Sequence, residues 1–397
     1  MLGGSLAQVQ CIKKANEMGI YTIICDYLTD NLGQRYADEY YNISTTDKEK
    51  VLALAKTLDL DGIVCYASDP AAPTAAYVCE ALGLPTSPFR SVEILANKDL
   101  YRDFLRKHGF NCPNAISCKT EEEVLEAAKQ ISFPLLIKPV DSSGSKGVAL
   151  VNNIEELQEN IANAFHYSRR KIVILEEFVE SFGPPIGGDG FSVNGKFVFW
   201  AFADVIYDNE SKNPMAPVAE TYPCSWNMNI QNKIANDIQR LLDLLDMKTN
   251  AYNIEVRIDS KGKIYLMEIG PRSGGNAIPV ITKLATGIDM VEYTIKAALG
   301  EDCSSIKQQD IQGYWSTTHI HSNVAGELVS INIDKNFRKN NLVSFKTEYK
   351  KGSFVPVYKG SDGSMGSMIS KYSSFEEMME KTHHFNRYVK VIVNPAK

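Results

Sequence analysis

Residues 253–276 read NIEVRIDSKGKIYLMEIGPRSGGN, and the parity of the turn inside this stretch decides what its charged residues can do. Strand alternation puts Asn253, Glu255 and Arg257 on one face and Ile254, Val256 and Ile258 on the other. The turn is DSKG. A two- or four-residue loop pairs Asn253 with Glu268 and Glu255 with Leu266. Glu268 then lies diagonal to Glu255 on the same face, about 5–8 Å away. A three-residue loop sends Glu268 to the opposite face. Two carboxylates on one face repel each other unless a cation lies between them, and hard oxygen ligands suit Mg²⁺. The bland alternative is a solvated polar face with Arg257 in a salt bridge, and the hairpin alone does not separate the two.

Working outward, the chain has 397 residues, enough for two or three domains that each bury a core. The net charge of −6 argues against a broad nucleic-acid surface, which would be basic. No apolar run reaches the roughly 18 residues of a membrane helix, so no membrane partner is expected. Helix and strand patterns begin almost at Met1, leaving no visible signal peptide. The eight cysteines form no CxxC pair and sit in apolar contexts such as IIC and GIVCY. They read as buried free thiols in a reducing cytoplasm. HIH at 319–321 and HH at 383–384 lack metal-site spacing, so a structural role is expected. MLGGS reads as a strand end entering a glycine turn, so the first strand is either very short or truncated.

Residues 1–88 alternate between helix and strand patterns. LAQVQCIKKANEMG is helical with a glycine stop, IYTIICD and DGIVCYAS read as strands, and AAPTAAYVCEALG is helical. The order predicts a small doubly wound parallel sheet. A single helix, SVEILANKDLYRDFLRKHG, opens the second region. GFSVNGKFVFWAFAD is a hairpin with Asn-Gly at its turn, and residues 206–227 read as a long polar loop. Beyond about residue 306 the chain is strand-rich.

Three further stretches carry chemistry. In IKPVDSSGSKGV, Lys138 ends a strand and the small residues after it leave backbone N–H groups free for phosphate oxygens. Walker A spacing is absent, and a surface hairpin would look similar. In VILEEFVE a strand runs into two carboxylates, and the backbone beyond it offers a hydrogen-bonding edge. LGGSLAQ, with Asp26 about 20 residues on, weakly mimics a dinucleotide turn, but Ala7 stands at the third glycine position.

Taken together these pieces resemble the ATP-grasp superfamily, whose members include carbamoyl-phosphate synthetase, biotin carboxylase, glycinamide ribonucleotide synthetase and the L-amino acid ligases. The resemblance implies an α/β (α+β) chain. Residues 1–88 would form a Rossmann-like domain and 89–305 the ATP-grasp domain, with a lid subdomain at about 115–180. Residues 306–397 would form a strand-rich C-terminal domain. It implies ATP with Mg²⁺ (or Mn²⁺), and small-molecule carboxylate and amine substrates joined through an acyl phosphate. Homodimers are common among these relatives, and the resemblance leaves the oligomeric state open. Lys98 and Lys138 would hold phosphates, and Ser142, Ser143, Gly144, Ser145, Lys146 and Gly147 would form the loop closing over them. Glu176, Glu177, Phe178 and Val179 would form the adenine-binding linker. Glu255 and Glu268 would be the metal ligands, and Arg272 would hold the acyl phosphate or the substrate carboxylate. Arg257, on the metal face, would steady the intermediate. Asp69 ends a strand toward the cleft and is a candidate substrate contact; the local reading is a helix cap. Two departures stand out. The family's ribose-binding Glu has no clear counterpart, Glu180 being the candidate. The usual Glu-x-Asn-Pro-Arg is EIGPR here, with Gly270 for Asn, so one ion fewer, a water or Asn276 would fill the gap. A nucleotide-binding protein without turnover and a biotin-carboxylase-like enzyme are the alternatives.

Overall fold

The hairpin that opens the sequence reading forms one edge of an eight-stranded sheet in the computed structural model, which describes residues 1–208, 210–275 and 277–395. Strand Asn250–Ile258 runs antiparallel to Ile264–Gly270. Asp259 N–H donates to the Lys263 carbonyl at 3.1 Å, leaving a three-residue loop, with Gly262 at φ 75°. That turn alone would aim Glu268 away from Glu255. A β-bulge reverses the outcome: Val256 pairs with Leu266 but Glu255 pairs with Glu268, so Met267 is the extra residue. The diagonal register expected from the sequence is therefore corrected. Glu268 lies directly opposite Glu255, and Asn253 lies opposite Gly270. Hydrophobic burial accounts for the bulge. Leu266 and Ile269, three residues apart, both enter the core that holds Ile254, Val256 and Ile258, which an unbroken period of two forbids.

From that edge the sheet continues through Ile186–Val193, Lys196–Tyr207, Pro217–Tyr222, Tyr314–Ile320, Gly366–Tyr372 and Leu342–Thr347. One face packs on helices Phe89–Ala96, Lys98–Lys107 and Met228–Leu244 through Val92, Leu95, Tyr101, Leu105, Ile238 and Leu241. Part of the other face lies under helices Ile278–Thr286 and Met290–Ala298, where Ile281, Ala285 and Met290 cover Phe191, Phe199 and Ala201. At the hairpin edge that face carries Glu255 and Glu268 and borders the cleft described below. A four-stranded antiparallel sheet in the order Ala115–Cys118, Val173–Glu177, Leu135–Pro139, Ala149–Val151 has its own core with helices Glu121–Ala128 and Ile154–Tyr167.

Three elements differ from the sequence reading. The helix expected from Ser91 onward is two helices, Phe89–Ala96 and Lys98–Lys107, broken at Asn97 with φ −121° and ψ 116°. The break makes Lys98 the first residue of a helix. The loop expected at 206–227 contains Pro217–Tyr222, a strand inside the large sheet; its Pro and Glu content hid the alternation. In the N-terminal segment, Ile23–Asp26 pairs in parallel with Glu39–Asn42, while the strand expected in DGIVCYAS is one parallel bridge, Cys65 to Leu2. Leu2 also bridges Cys25, so the parallel order is kept with a minimal first strand.

Candidate functional site

Where the small sheet meets the first helix pair, one carboxylate serves two cations. Glu176 is completely buried, with Arg102 Nε 2.6 Å from one oxygen and Lys138 Nζ 2.5 Å from the other. Arg102 also donates to the Met267 carbonyl at 2.9 Å, fastening the bulge of the hairpin. Burial opposes the Glu176 charge, but the two cations outweigh it and hold the carboxyl at about 2. Burial and the neighbouring Arg102 push the Lys138 ammonium below its ordinary value despite Glu176. One carboxylate between two cations leaves net positive charge, and Lys138 is its weaker-held member. Glu176 therefore sits at the end of its strand within the buried network, directly before Glu177, Phe178 and Val179. Arg102 escaped the sequence reading; its spacing one helical turn after Lys98 was the available signal.

Lys98 stands between the small sheet and the hairpin. Its N–H donates to the Val140 carbonyl at 2.8 Å and its ammonium to the Ser142 carbonyl at 3.2 Å. The same ammonium lies 3.0 Å from Glu268. Burial weakens its charge, but Glu268, Asp69 and Glu255 outweigh burial and raise its pKa. Glu255 opens to solvent in the cleft; the surrounding walls, and after them the Glu268 carboxylate, raise its carboxyl above the usual range. Among the described residues no group of three or more His, Cys, Asp or Glu side chains is arranged to hold a metal. Two facing carboxylates nevertheless fit a hard cation that takes its other ligands from water and phosphate. Asn276 lies outside the described residues.

Beside the pair, Asp189 is buried and spends both oxygens on structure. It accepts from Gly274 N–H at 2.9 and 3.0 Å and from Asn253 Nδ2 at 3.1 Å. It thereby fixes the chain after EIGPR, and burial raises its carboxyl to about 6. Arg257 is also committed. It donates to the Val179 carbonyl at 2.8 Å and lies 5.0 Å over the Phe178 ring. Its guanidinium ties the hairpin to residues 178–179 rather than standing free on the carboxylate face. Glu177 pairs through its backbone with Asn114, and Glu180 is exposed.

The glycine in EIGPR has a steric cause. A Cβ on Gly270 would lie 2.7 Å from Asp69 Oδ1. Asp69 reaches in from the N-terminal segment and forms an ion pair with Arg272 through its other oxygen; both side chains are about nine-tenths buried. Asp69 Oδ1 and Arg272 Nε are buried with no partner among the described residues. Asp69 thus occupies the space of a residue-270 side chain, and its contact is with Arg272 rather than only with a helix end.

The Gly/Ser loop is folded down onto two other segments. Ser145 Oγ donates to the Met215 carbonyl at 3.1 Å, and Ser361 N–H donates to the Gly144 carbonyl at 3.1 Å. Gly144 has φ 66°, and a Cβ there would stand 2.1 Å from Ser361 Oγ. Asp141 anchors the loop base through Ser168 Oγ at 3.0 Å and Arg170 N–H at 2.8 Å. Ser142 and Gly147 are buried, while Ser143 and Lys146 are half-buried.

The N-terminal glycine turn, by contrast, is filled by its own chain. Gly4 N–H donates to Asp26 at 2.8 Å, and Asn31 Oδ1 stands 2.1 Å from where a Gly4 Cβ would be. It presents no open phosphate cradle. All eight cysteines are free, as expected, and no helix among the described residues is long and apolar enough to cross a membrane.

A small antiparallel sheet carrying Lys138, a large one carrying the paired carboxylates, and Lys98 at a helix start 3.0 Å from Glu268 define a clamp of mixed α+β class. Residues 106–293, a little under half of the chain, match the family model described as D-ala D-ala ligase C-terminus. An L-amino acid ligase from Bacillus licheniformis shares the fold at TM-score 0.82 and 19% identity, over 99% of this chain and 98% of that one. An uncharacterized protein of Sinorhizobium fredii is 27% identical over 286 residues, which is 68% of this chain and 56% of that protein. The carbamoyl phosphate synthase large chain of Clostridium perfringens is 24% identical over 303 residues, 74% of this chain and 27% of that one. The chain therefore spans about half or less of the length of these last two relatives.

Proposed function

We propose that this chain is an ATP- and Mg²⁺-dependent ligase that joins a small carboxylic acid to an amine through an acyl phosphate. The observation that carries the reading is the placement of the Lys98 ammonium 3.0 Å from Glu268, itself directly opposite Glu255. Cation, loop and paired carboxylates thus share one cleft. Lys98 and Lys138 would neutralise triphosphate oxygens, and the excess positive charge around Glu176 suits an anion. Residues 142–147 would cover the phosphates and keep water from the acyl phosphate. The backbone at Glu177–Val179, braced by Arg257, would face the adenine. Glu255 and Glu268 would hold the metal, which when bound supplies charge neutralisation at the transferring phosphoryl group. Arg272 would orient the substrate carboxylate, for which its fork geometry suits better than Lys.

The test is ADP release with a panel of amino acids and amines, for the wild type and for Glu268→Gln and Lys138→Ala. Mn²⁺ binding followed by electron paramagnetic resonance supplies a readout besides turnover. Substrate-dependent ADP release lost in both variants, with Mn²⁺ affinity lost in Glu268→Gln, is expected. Undiminished turnover in both variants overturns the assignment. ATP binding without turnover across the panel would leave a nucleotide-binding protein instead.

A further inference from the structure

The ligase reading leaves one task without a residue. An amine reaches the site as an ammonium ion and must lose a proton before it can attack. On the cleft face Glu255 and Glu268 form the facing pair, Glu176 is locked between two cations, and Asp189 has both oxygens bonded to Gly274 and Asn253. Asp69 is paired with Arg272. Among the described residues Glu220 is a further carboxylate on that face of the large sheet.

Glu220 lies on strand Pro217–Tyr222, opposite Val205 on one side and Thr317 on the other. One oxygen accepts from the Tyr222 hydroxyl at 2.8 Å. The other leans along the sheet toward Gly187, reaching within 3.6 Å of where a Cβ on that glycine would stand. Gly187 sits between the Asn253–Asp189 and Val256–Ile186 pairs, and so across from Glu255. A side chain at 187 would meet Val205 Cγ2 at 2.7 Å, so the absence of one keeps the lane from Glu220 to the carboxylate pair open. Resting on the ligase reading, we propose that Glu220 receives the amine substrate as its ammonium ion and takes one proton, freeing the nitrogen lone pair that then attacks the acyl phosphate. The N–C bond forms and the C–O bond to phosphorus breaks, with its electron pair leaving on phosphate. The second N–H proton goes to that phosphate. Glu220 then returns its proton to solvent.

The surroundings suit a base working near neutrality. The groups that act on Glu220 are Tyr222 on its own strand, Asp189 on Ile186–Val193, Tyr207 on Lys196–Tyr207 and Glu255 on Asn250–Ile258. Arg257 neighbours Tyr207, and His319 lies two residues beyond Thr317 on the same face of its strand. Burial first, then Asp189 and Glu255, raise the Glu220 carboxyl to about 7, with the Tyr222 hydroxyl pulling it back. The acid is largely ionised just above neutral pH, where a general base contributes typically about 10²–10⁴ in rate.

The test compares two nucleophiles on the same acyl phosphate. Hydroxylamine is unprotonated at neutral pH and needs no base, whereas an alkylamine does. Wild type, Glu220→Gln, Glu220→Asp and Tyr222→Phe would be assayed with ATP, Mg²⁺ and the amino acid that gives most hydroxamate in the panel. The second nucleophile is the amine of the panel that gives most product. Glu220→Gln should keep hydroxamate formation within about threefold and lose at least about a hundredfold in amine ligation. Glu220→Asp should recover part of that loss. In the wild type the amine reaction should rise with pH through about 7, and Tyr222→Phe should move that rise to higher pH. Equal losses with both nucleophiles, or an unchanged amine reaction, overturn the role of Glu220. Absence of hydroxamate from the wild type across the panel overturns the ligase reading itself, and the assignment of Glu220 falls with it.

Discussion

Replacing Glu176 by Gln removes the one negative charge that two buried cations share. Arg102 and Lys138 are 2% and 11% exposed in their side chains, and Glu176 is 0% exposed, so solvent takes little of the load. Breaking a buried pair by removing one partner costs about 3–5 kcal/mol, because the remaining charge stays buried. Titration leads to a similar figure: a folded carboxyl at about 2 against an ordinary 4.5 corresponds to roughly 3 kcal/mol. Because the folded pKa is depressed, the contribution is fully present above pH 4.5 and is lost as pH falls through about 2. Urea unfolding at pH 7, followed by circular dichroism and tryptophan fluorescence, should place Glu176→Gln about 3–5 kcal/mol below the wild type. The gap should be constant from pH 7 to 5 and narrow below pH 4. A loss under about 1 kcal/mol, the size expected of an exposed pair, or a gap that widens on acidification, would refute the argument.

Gly270→Ala should destabilise by about 1–3 kcal/mol through overpacking against Asp69, and the same substitution made in an Asp69→Ser background should cost much less. Additive thermal shifts in the double variant would show that the two positions do not meet. Asp69→Asn leaves Arg272 buried beside a neutral partner and should cost about 3 kcal/mol or more, measured by the same unfolding. Gly144→Ala should lift the Gly/Ser loop from Ser361, since the added methyl has no room and φ is positive. Faster tryptic cleavage after Lys146 would register this, and an unchanged rate would count against the packed loop. Tyr222→Phe leaves Glu220 with one hydrogen bond fewer, so the Glu220 carboxyl should titrate above its present value of about 7, which ¹³C-labelled glutamate NMR can follow.

The linear sequence was informative wherever a residue's task depends on its neighbours along the chain. Periodicity placed most helices and strands, and Asn-Gly at 194–195 marked its hairpin turn, with φ values of 47° and 80°. It also brought Lys98, Lys138 and the Gly/Ser loop into consideration, and the structure sets all three at one cleft. It was silent on Arg102, Asp189 and Glu220, whose surroundings read locally as helix, glycine-rich strand and loop. Arg102 and Asp189 work through residues more than 60 positions away, Glu176 and Gly274, and Glu220 faces Gly187 across the sheet, 33 positions earlier.

By itself, then, the sequence determined that Glu255 and Glu268 lie on paired strands and that Gly270 departs from the pattern the chain otherwise resembles. Which face Glu268 takes was decided only in the tertiary structure. The three-residue turn and the bulge at Met267 have opposite effects on parity, and the bulge forms because Leu266 and Ile269 must enter one core. The reason for Gly270 is likewise tertiary, since the atom that excludes a side chain there belongs to Asp69, 201 residues earlier in the chain. Alternation is a local property of the backbone, whereas exclusion and burial depend on what the rest of the chain brings alongside.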